Sequence, residues 1–254
     1  MDEALPVRHN NTTLDHLMGG KLHIRQPATG HRGGTDTMLL AAAAPLSSGT
    51  LVDIGAGVGT AGLAVALREG SGRIILVEIQ PDIAALAREN IELNGLAERA
   101  QAICADVLSA AGRRAAGLTN GIADVVIANP PYLVPGRTRT SPDLARATAH
   151  SLAKGGLEAW ARAAAALLHP GGQFVMIQRA DALEEILPAF AGRFGGLDLI
   201  FVHPREGEPA VRMIARATKG SRGPVRILPP LIVHGPGGDF TARAKAIHMG
   251  EEFL

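Results

Sequence analysis

The sequence predicts a doubly wound α/β fold: a mostly parallel sheet with helices on both faces and an antiparallel hairpin near its C-terminal end. Three observations carry that expectation. Short aliphatic runs at 51–54, 74–77 and 125–127 are apolar at nearly every position, the pattern of strands buried on both faces rather than one. Helical segments separate these runs, and such alternation implies parallel pairing through right-handed crossovers. The last two strand-like runs, near 197–202 and 210–217, are joined by a loop without room for a crossover helix, so they are expected to pair antiparallel.

Along the chain, residues 1–34 are polar and Gly-rich with weak periodicity, and are expected to be an N-terminal extension ahead of a domain at 35–254. A short helix is expected over 35–44, closed by Pro45. The clearest helix opens at Pro81-Asp82, with proline in the first turn and a carboxylate near the positive end of the helix dipole. It carries Ile83, Ala87 and Ile91 on one face and stops at Asn94-Gly95. An Ala-rich helix over 156–168 stops at His169-Pro170-Gly171. With 254 residues and 46% hydrophobic content, the chain can bury one large core.

Composition narrows the function classes. Lys+Arg number 25 against Asp+Glu 24, so no whole-protein field announces a nucleic-acid partner and any basic footprint must be local. The single cysteine, Cys104, excludes an internal disulfide framework; it sits in an apolar run and is expected to be a small core residue. The first eleven residues carry Asp2, Glu3 and Arg8 and no apolar core segment, unlike a signal peptide, and no apolar run is long enough for a membrane span. A soluble, cytoplasmic protein is expected. The nine histidines show no metal-ligand spacing, and no metal is expected.

Residues 52–60, Val-Asp-Ile-Gly-Ala-Gly-Val-Gly-Thr, read as a strand passing through a glycine-rich turn into a helix. Glycine is needed where the backbone turns sharply and approaches a ligand. The window 57–62 spells the dinucleotide fingerprint, and Glu78 lies near the spacing of a ribose-binding carboxylate, which alone leaves NAD and S-adenosylmethionine open. Three carboxylates favour the latter. Asp53, at the strand end, repels a pyrophosphate but attracts an ammonium or sulfonium. Glu78 can accept both ribose hydroxyls, and Asp106 can accept from an adenine amino group. All three fall at consecutive strand ends, where open α/β sheets bind ligands. Ile79 and Val107, each beside one of these carboxylates, complete the candidate set.

The strand at 122–128 ends in Asn129-Pro130-Pro131-Tyr132. A planar NH₂ group is a poor nucleophile because its lone pair is delocalised. Two acceptors, the Asn129 side-chain oxygen and the Pro130 carbonyl, can hold its two protons, aim the lone pair at a methyl donor and stabilise the charge developing on nitrogen. Tyr132 offers a face on which a flipped base can stack.

Together these motifs resemble class I, Rossmann-like, seven-stranded methyltransferases of the amino-methylating kind. Gly19-Gly20-Lys21-Leu22-His23-Ile24-Arg25-Gln26-Pro27 leading to Thr35-Asp36-Thr37-Met38-Leu39-Leu40-Ala41 is similar to the N-terminus of the bacterial tRNA(Val) adenine-37 N6-methyltransferase family. His203-Pro204-Arg205-Glu206-Gly207, Lys219-Gly220-Ser221-Arg222 and Leu228-Pro229-Pro230-Leu231 resemble a branch of the same family. The resemblance implies that Asp53, Gly55 and Gly57 hold the methionine part of the cofactor, Glu78 the ribose and Asp106 the adenine. It implies that Thr35 or Asp36 closes over the cofactor, and that Asn129, Pro130 and Tyr132 hold the target adenine for direct transfer. His31 and Gly33 stand where aromatics are expected.

Arg205, Arg212, Arg216, Lys219, Arg222 and Arg226 in the tail, and Arg137, Arg139 and Arg146 after the tetrad, are candidates for tracking RNA phosphates. N6-methylation of an adenine in a tRNA anticodon loop, where a base splays out cheaply, is therefore the leading expectation. Methylation of a glutamine amide in a translation factor uses the same geometry. That family carries a helical domain before the sheet, whereas about fifty residues precede Asp53 here. A non-catalytic RNA-binding subunit is disfavoured by the intact motifs, and an NAD oxidoreductase by Asp53 and the tetrad.

Overall fold

The structure, a computed structural model, describes residues 11–29, 33–45, 48–132 and 155–254. The chain opens with an antiparallel hairpin, β1 (Thr12–Leu17) and β2 (Leu22–Pro27). Seven strands of five residues or more then build the main sheet: β3 (Thr50–Ile54), β4 (Arg73–Glu78), β5 (Ala100–Cys104), β6 (Ala123–Ala128), β7 (Leu168–Arg179), β8 (Phe194–His203) and β9 (Arg212–Lys219). Across the sheet they run β8-β9-β7-β6-β3-β4-β5. β3 pairs parallel with both β4 and β6, so the strand order reverses there and a crevice opens beyond the C-terminal strand ends. The expected hairpin is present, with β9 antiparallel to both β7 and β8 and lying between them. Two-residue strands β10 (Arg226–Ile227) and β11 (Leu231–Ile232) add to β8 and bring the sheet to nine.

Successive residues of the central strands feed two cores. Along β4, Ile74 and Leu76 face one and Ile75 and Val77 the other; Val125 and Ile127 alternate with Val126 and Ala128 along β6 in the same way. That two-sided burial is why these runs lack polar positions. Helices α1 (Thr35–Ala43), α2 (Thr60–Glu69) and α3 (Pro81–Leu93) cover the first face. The short α4 (Ala110–Ala115) buries no residue. Helices α5 (Gly156–Leu167) and α6 (Leu183–Phe190) cover the second face, and α7 (Ala242–Met249) returns to the first through Ile247.

The N-terminal stretch is not merely polar chain. Leu22, Ile24 and Gln26 of β2 point inward and are fully buried. α3 receives the edge of this strand through two amides one helical turn apart. Asn94 bonds both the N–H and the C=O of His23, at 2.9 and 2.7 Å. Asn90, itself fully buried, accepts from Arg25 N–H at 2.7 Å and donates to the carbonyls of Arg25 and Val58. One side chain thus ties the hairpin to α3 and to the glycine-rich turn. Asn90→Ala strands buried backbone groups and is expected to lower the unfolding free energy by about 2–3 kcal/mol in denaturant titrations. A loss below about 0.5 kcal/mol, the range of ordinary surface substitutions, rules out that docking role.

Candidate functional site

Among the described residues the larger cavity, ≈ 190 Å³, lies across the C-terminal ends of β3, β4, β5 and β6; a second, ≈ 10 Å³, has room for about one water. Asp53, Gly55, Gly57, Glu78, Ile79, Asp106, Val107 and Asn129 all line the larger cavity. They come from four strand ends and the loops that follow.

The floor is the turn between β3 and α2. Gly55 has φ +69°, and a Cβ there meets the Trp160 ring at 2.6 Å, so backbone conformation and close approach both require glycine. Asp53 is buried, and its Oδ2 accepts from Gly62 N–H at 3.1 Å, inside the first turn of α2. Burial pushes its carboxyl up to about 7; the Gly62 bond pulls it back, and the neighbouring Glu78 charge raises it again. Glu78 Oε2 accepts from Gly57 N–H at 2.9 Å, and Oε1 from Ile79 and Gln80 N–H at 2.8 and 2.9 Å. It closes the turn between β4 and α3 onto the glycine-rich one. Asp106 Oδ1 accepts from the N–H groups of Leu108 and Ser109.

These residues fit S-adenosylmethionine. The buried Asp53 carboxylate suits a cationic amino-acid moiety. Glu78 Oε2, which among the described residues accepts only from Gly57 N–H, keeps lone-pair capacity for a ribose hydroxyl. Val58, Ile83, Val107, Leu108 and Trp160 make apolar walls for a purine. Thr60 Oγ1, buried in the same lining, has no hydrogen-bond partner among the described residues, as expected of a donor kept for a ligand. Among the described residues no group of three or more His, Cys, Asp or Glu is placed to hold a metal ion.

Several expectations change position. Thr35 and Asp36 do not line the cavity. Thr35 Oγ1 lies 3.2 Å from His248 Nε2, while Asp36 Oδ2 accepts from Arg212 Nε at 2.8 Å and from the Tyr132 hydroxyl at 2.9 Å. The Tyr132 oxygen also stands 2.9 Å from Asn129 Oδ1. The Arg212 guanidinium sits over the Tyr132 ring, 4.7 Å from its centre, so one ring face is already covered and only the other can meet a base. Pro130 is buried at the exit of β6, and it is Pro131 that reaches the cavity. Cys104 is exposed at the end of β5 rather than in the core, because the strand stops there.

The basic tail is largely committed within the fold. Arg216 donates to Leu254 C=O and Asp198, Arg226 pairs with Asp198, Lys219 donates to Leu168 C=O, and Arg205 pairs with Glu208. Of the tail candidates, Arg205, Arg222 and Arg226 are exposed. Arg137, Arg139, Arg146 and His31 lie outside the described residues. Gly33 stands in the lining with Thr60 against it; a Cβ there meets Oγ1 at 2.6 Å, which accounts for glycine where an aromatic was expected. Thr60, Thr37 and Trp160 were missed as lining residues. The sole tryptophan, set in an otherwise small-residue helix, was the one available signal.

The family model for the methyltransferase small domain matches residues 33–198. The chain is 34% identical to a tRNA1(Val) (adenine(37)-N6)-methyltransferase of Pectobacterium carotovorum, over 61% of this chain and 60% of that protein. It is 29% identical to a release factor glutamine methyltransferase of Chlorobaculum tepidum, over 60% of this chain and 53% of that protein. The matched region therefore spans less than two thirds of either relative. In three dimensions it resembles a predicted O-methyltransferase from Agrobacterium tumefaciens, with a TM-score of 0.73 and 36% identity over 86% of this chain and 98% of that one.

Proposed function

The chain belongs to the methyltransferase small domain family, and we propose that it transfers a methyl group from S-adenosylmethionine to the exocyclic N6 amino group of an adenine in a tRNA. One observation carries the reading: the cavity lined by Asp53, Glu78 and Asp106 is also lined by Asn129, the first residue of the Asn-Pro-Pro-Tyr tetrad. The cofactor supplies the methyl group as an electrophile. The protein binds its cationic end at Asp53, orients the ribose at Glu78 and holds the acceptor amine at the β6 exit. Two neutral oxygens at Asn129 and Pro130 match the two protons of a planar NH₂. A hydroxyl acceptor has one proton and calls for a base to remove it, which the tetrad does not offer.

The tRNA assignment is supported by the activity named for the Pectobacterium relative and by the resemblance of residues 19–27 and 35–41 to the N-terminus of that family. The glutamine-amide reading draws on the Chlorobaculum relative, because an amide NH₂ presents the same two protons. Incubation with methyl-labelled cofactor and either total tRNA or total protein, followed by mass spectrometry, separates these readings. Label on N6 of adenine is expected. Label on a glutamine, or on an oxygen in either pool, overturns the assignment.

A further inference from the structure

At the edge of the cavity, three elements far apart in sequence meet in one hydrogen-bonded chain: Asp36 at the start of α1, Tyr132 after β6, and Arg212 at the start of β9. We propose that Asp36 and Arg212 are positioning residues which, through the Tyr132 hydroxyl, fix the Asn129 amide with its nitrogen toward the phenol and its oxygen toward the cavity.

Counting protons leads there. The Tyr132 oxygen lies 2.9 Å from Asp36 Oδ2 and 2.9 Å from Asn129 Oδ1. A phenol carries one proton and cannot donate to both. An ionised carboxylate has no proton to offer, so its contact with the phenol is favourable only if the phenol donates to it. The phenol oxygen then becomes an acceptor, and its partner on Asn129 must be the amide nitrogen. The two ends of an amide are similar in shape, so this rotation costs nothing in packing. The phenol keeps its proton, because burial and then the Asp36 charge hold its ionisation well above the usual range, an effect Arg212 offsets only in part. Arg212 fixes Asp36 by its Nε bond and backs the ring by its position over the face. Its own charge is reinforced by Asp36 against the desolvation that weakens it.

The consequence concerns acceptor chemistry and rests on the amine-methylating reading above. With the amide rotated, its oxygen is available to a substrate N–H. In the opposite orientation the amide presents its own NH₂ to the cavity, donor against donor, and an amine is repelled. The Asp36–Arg212 pair therefore selects an NH₂ acceptor without touching it.

Asp36→Ala removes the acceptor, so the phenol donates instead to Asn129 Oδ1, whose oxygen is then turned away from the substrate. Expected is a fall in kcat of about 10- to 100-fold with the KM for cofactor within about twofold. Tyr132→Phe is expected to lose a similar amount, and adding Asp36→Ala to it little more, since both act through one hydroxyl. Losses that multiply, or a kcat unchanged in Asp36→Ala, overturn the inference. A second readout is independent of activity: the Asn129 side-chain N–H pair, followed by ¹⁵N NMR and assigned with Asn129→Asp, should lose a protected proton in Tyr132→Phe. An unchanged signal overturns the proposal even in an active enzyme. A wild-type protein that methylates neither RNA nor protein, with that signal behaving as expected, sinks the amine-transfer reading and leaves the hydrogen-bond assignment standing.

Discussion

Asn129→Ala is expected to lower methyl transfer by about 10²- to 10³-fold while leaving the Kd for S-adenosylmethionine within about threefold. The size follows from the site's construction. A delocalised amine lone pair becomes nucleophilic only as the nitrogen pyramidalises and its protons turn acidic, so an acceptor already in place is worth more in the transition state than in the ground state. Asn129 supplies such an acceptor from the rigid end of β6, whose Val126, Ile127 and Ala128 are fully buried. The cofactor cavity has walls from many other residues, Trp160, Ile83 and Val107 among them, so cofactor affinity is expected to survive. Single-turnover transfer and calorimetry on the same preparation separate the two effects. Retained transfer, or a loss of cofactor affinity that matches the loss of rate, refutes the assigned role.

What was legible in the sequence follows from how local each signal is. The central strands could be read because β4 and β6 bury successive residues on opposite faces, which leaves unbroken apolar runs. The helix at Pro81 carries its own start and stop, and the glycine-rich turn and the tetrad are contiguous segments whose chemistry is written in order. The hairpin of β1 and β2 alternates properly, but its third inward position is Gln26 rather than an aliphatic. That side chain is buried to accept from Gly33 N–H and to bond Asp15, so the polar letter concealed a core position. The Asp36–Arg212 pair joins residues 176 apart and has no local signature at all. Each partner alone resembles an ordinary surface charge. The same non-locality explains why the arginines and lysine of the tail read as an RNA track, when Asp198 and main-chain carbonyls distant in sequence already hold several of them.

The affinity for S-adenosylmethionine is expected to fall on acidification below neutrality, and Asp53→Asn should abolish that dependence while weakening binding at pH 7.5. Burial holds the Asp53 carboxyl up to about 7 against an ordinary 3.8, chiefly by desolvation. In the unliganded protein the neutral form therefore predominates below neutrality. A cationic ammonium or sulfonium favours the ionised form, so below about pH 7 binding must expel a proton, and Kd rises towards tenfold per unit of acidification. The affinity should level off just above pH 7, then weaken again where an α-amino group itself loses charge, near pH 8. Folding carries the opposite sign. A carboxyl whose folded value lies above its unfolded one keeps more protons folded than unfolded, so Asp53 makes the empty protein less stable as pH rises from about 4 to about 7, by at most a few kcal/mol. The ligand-free Asp53→Asn variant should therefore gain stability over the native protein at pH 8 while binding the cofactor less well, as befits a buried charge kept for a ligand. Calorimetric Kd values between pH 5.5 and 8.5, with thermal unfolding of the empty proteins, test both signs. An acid limb that persists in Asp53→Asn, or a native profile flat through neutrality, shows that some other group meets the cofactor's charge.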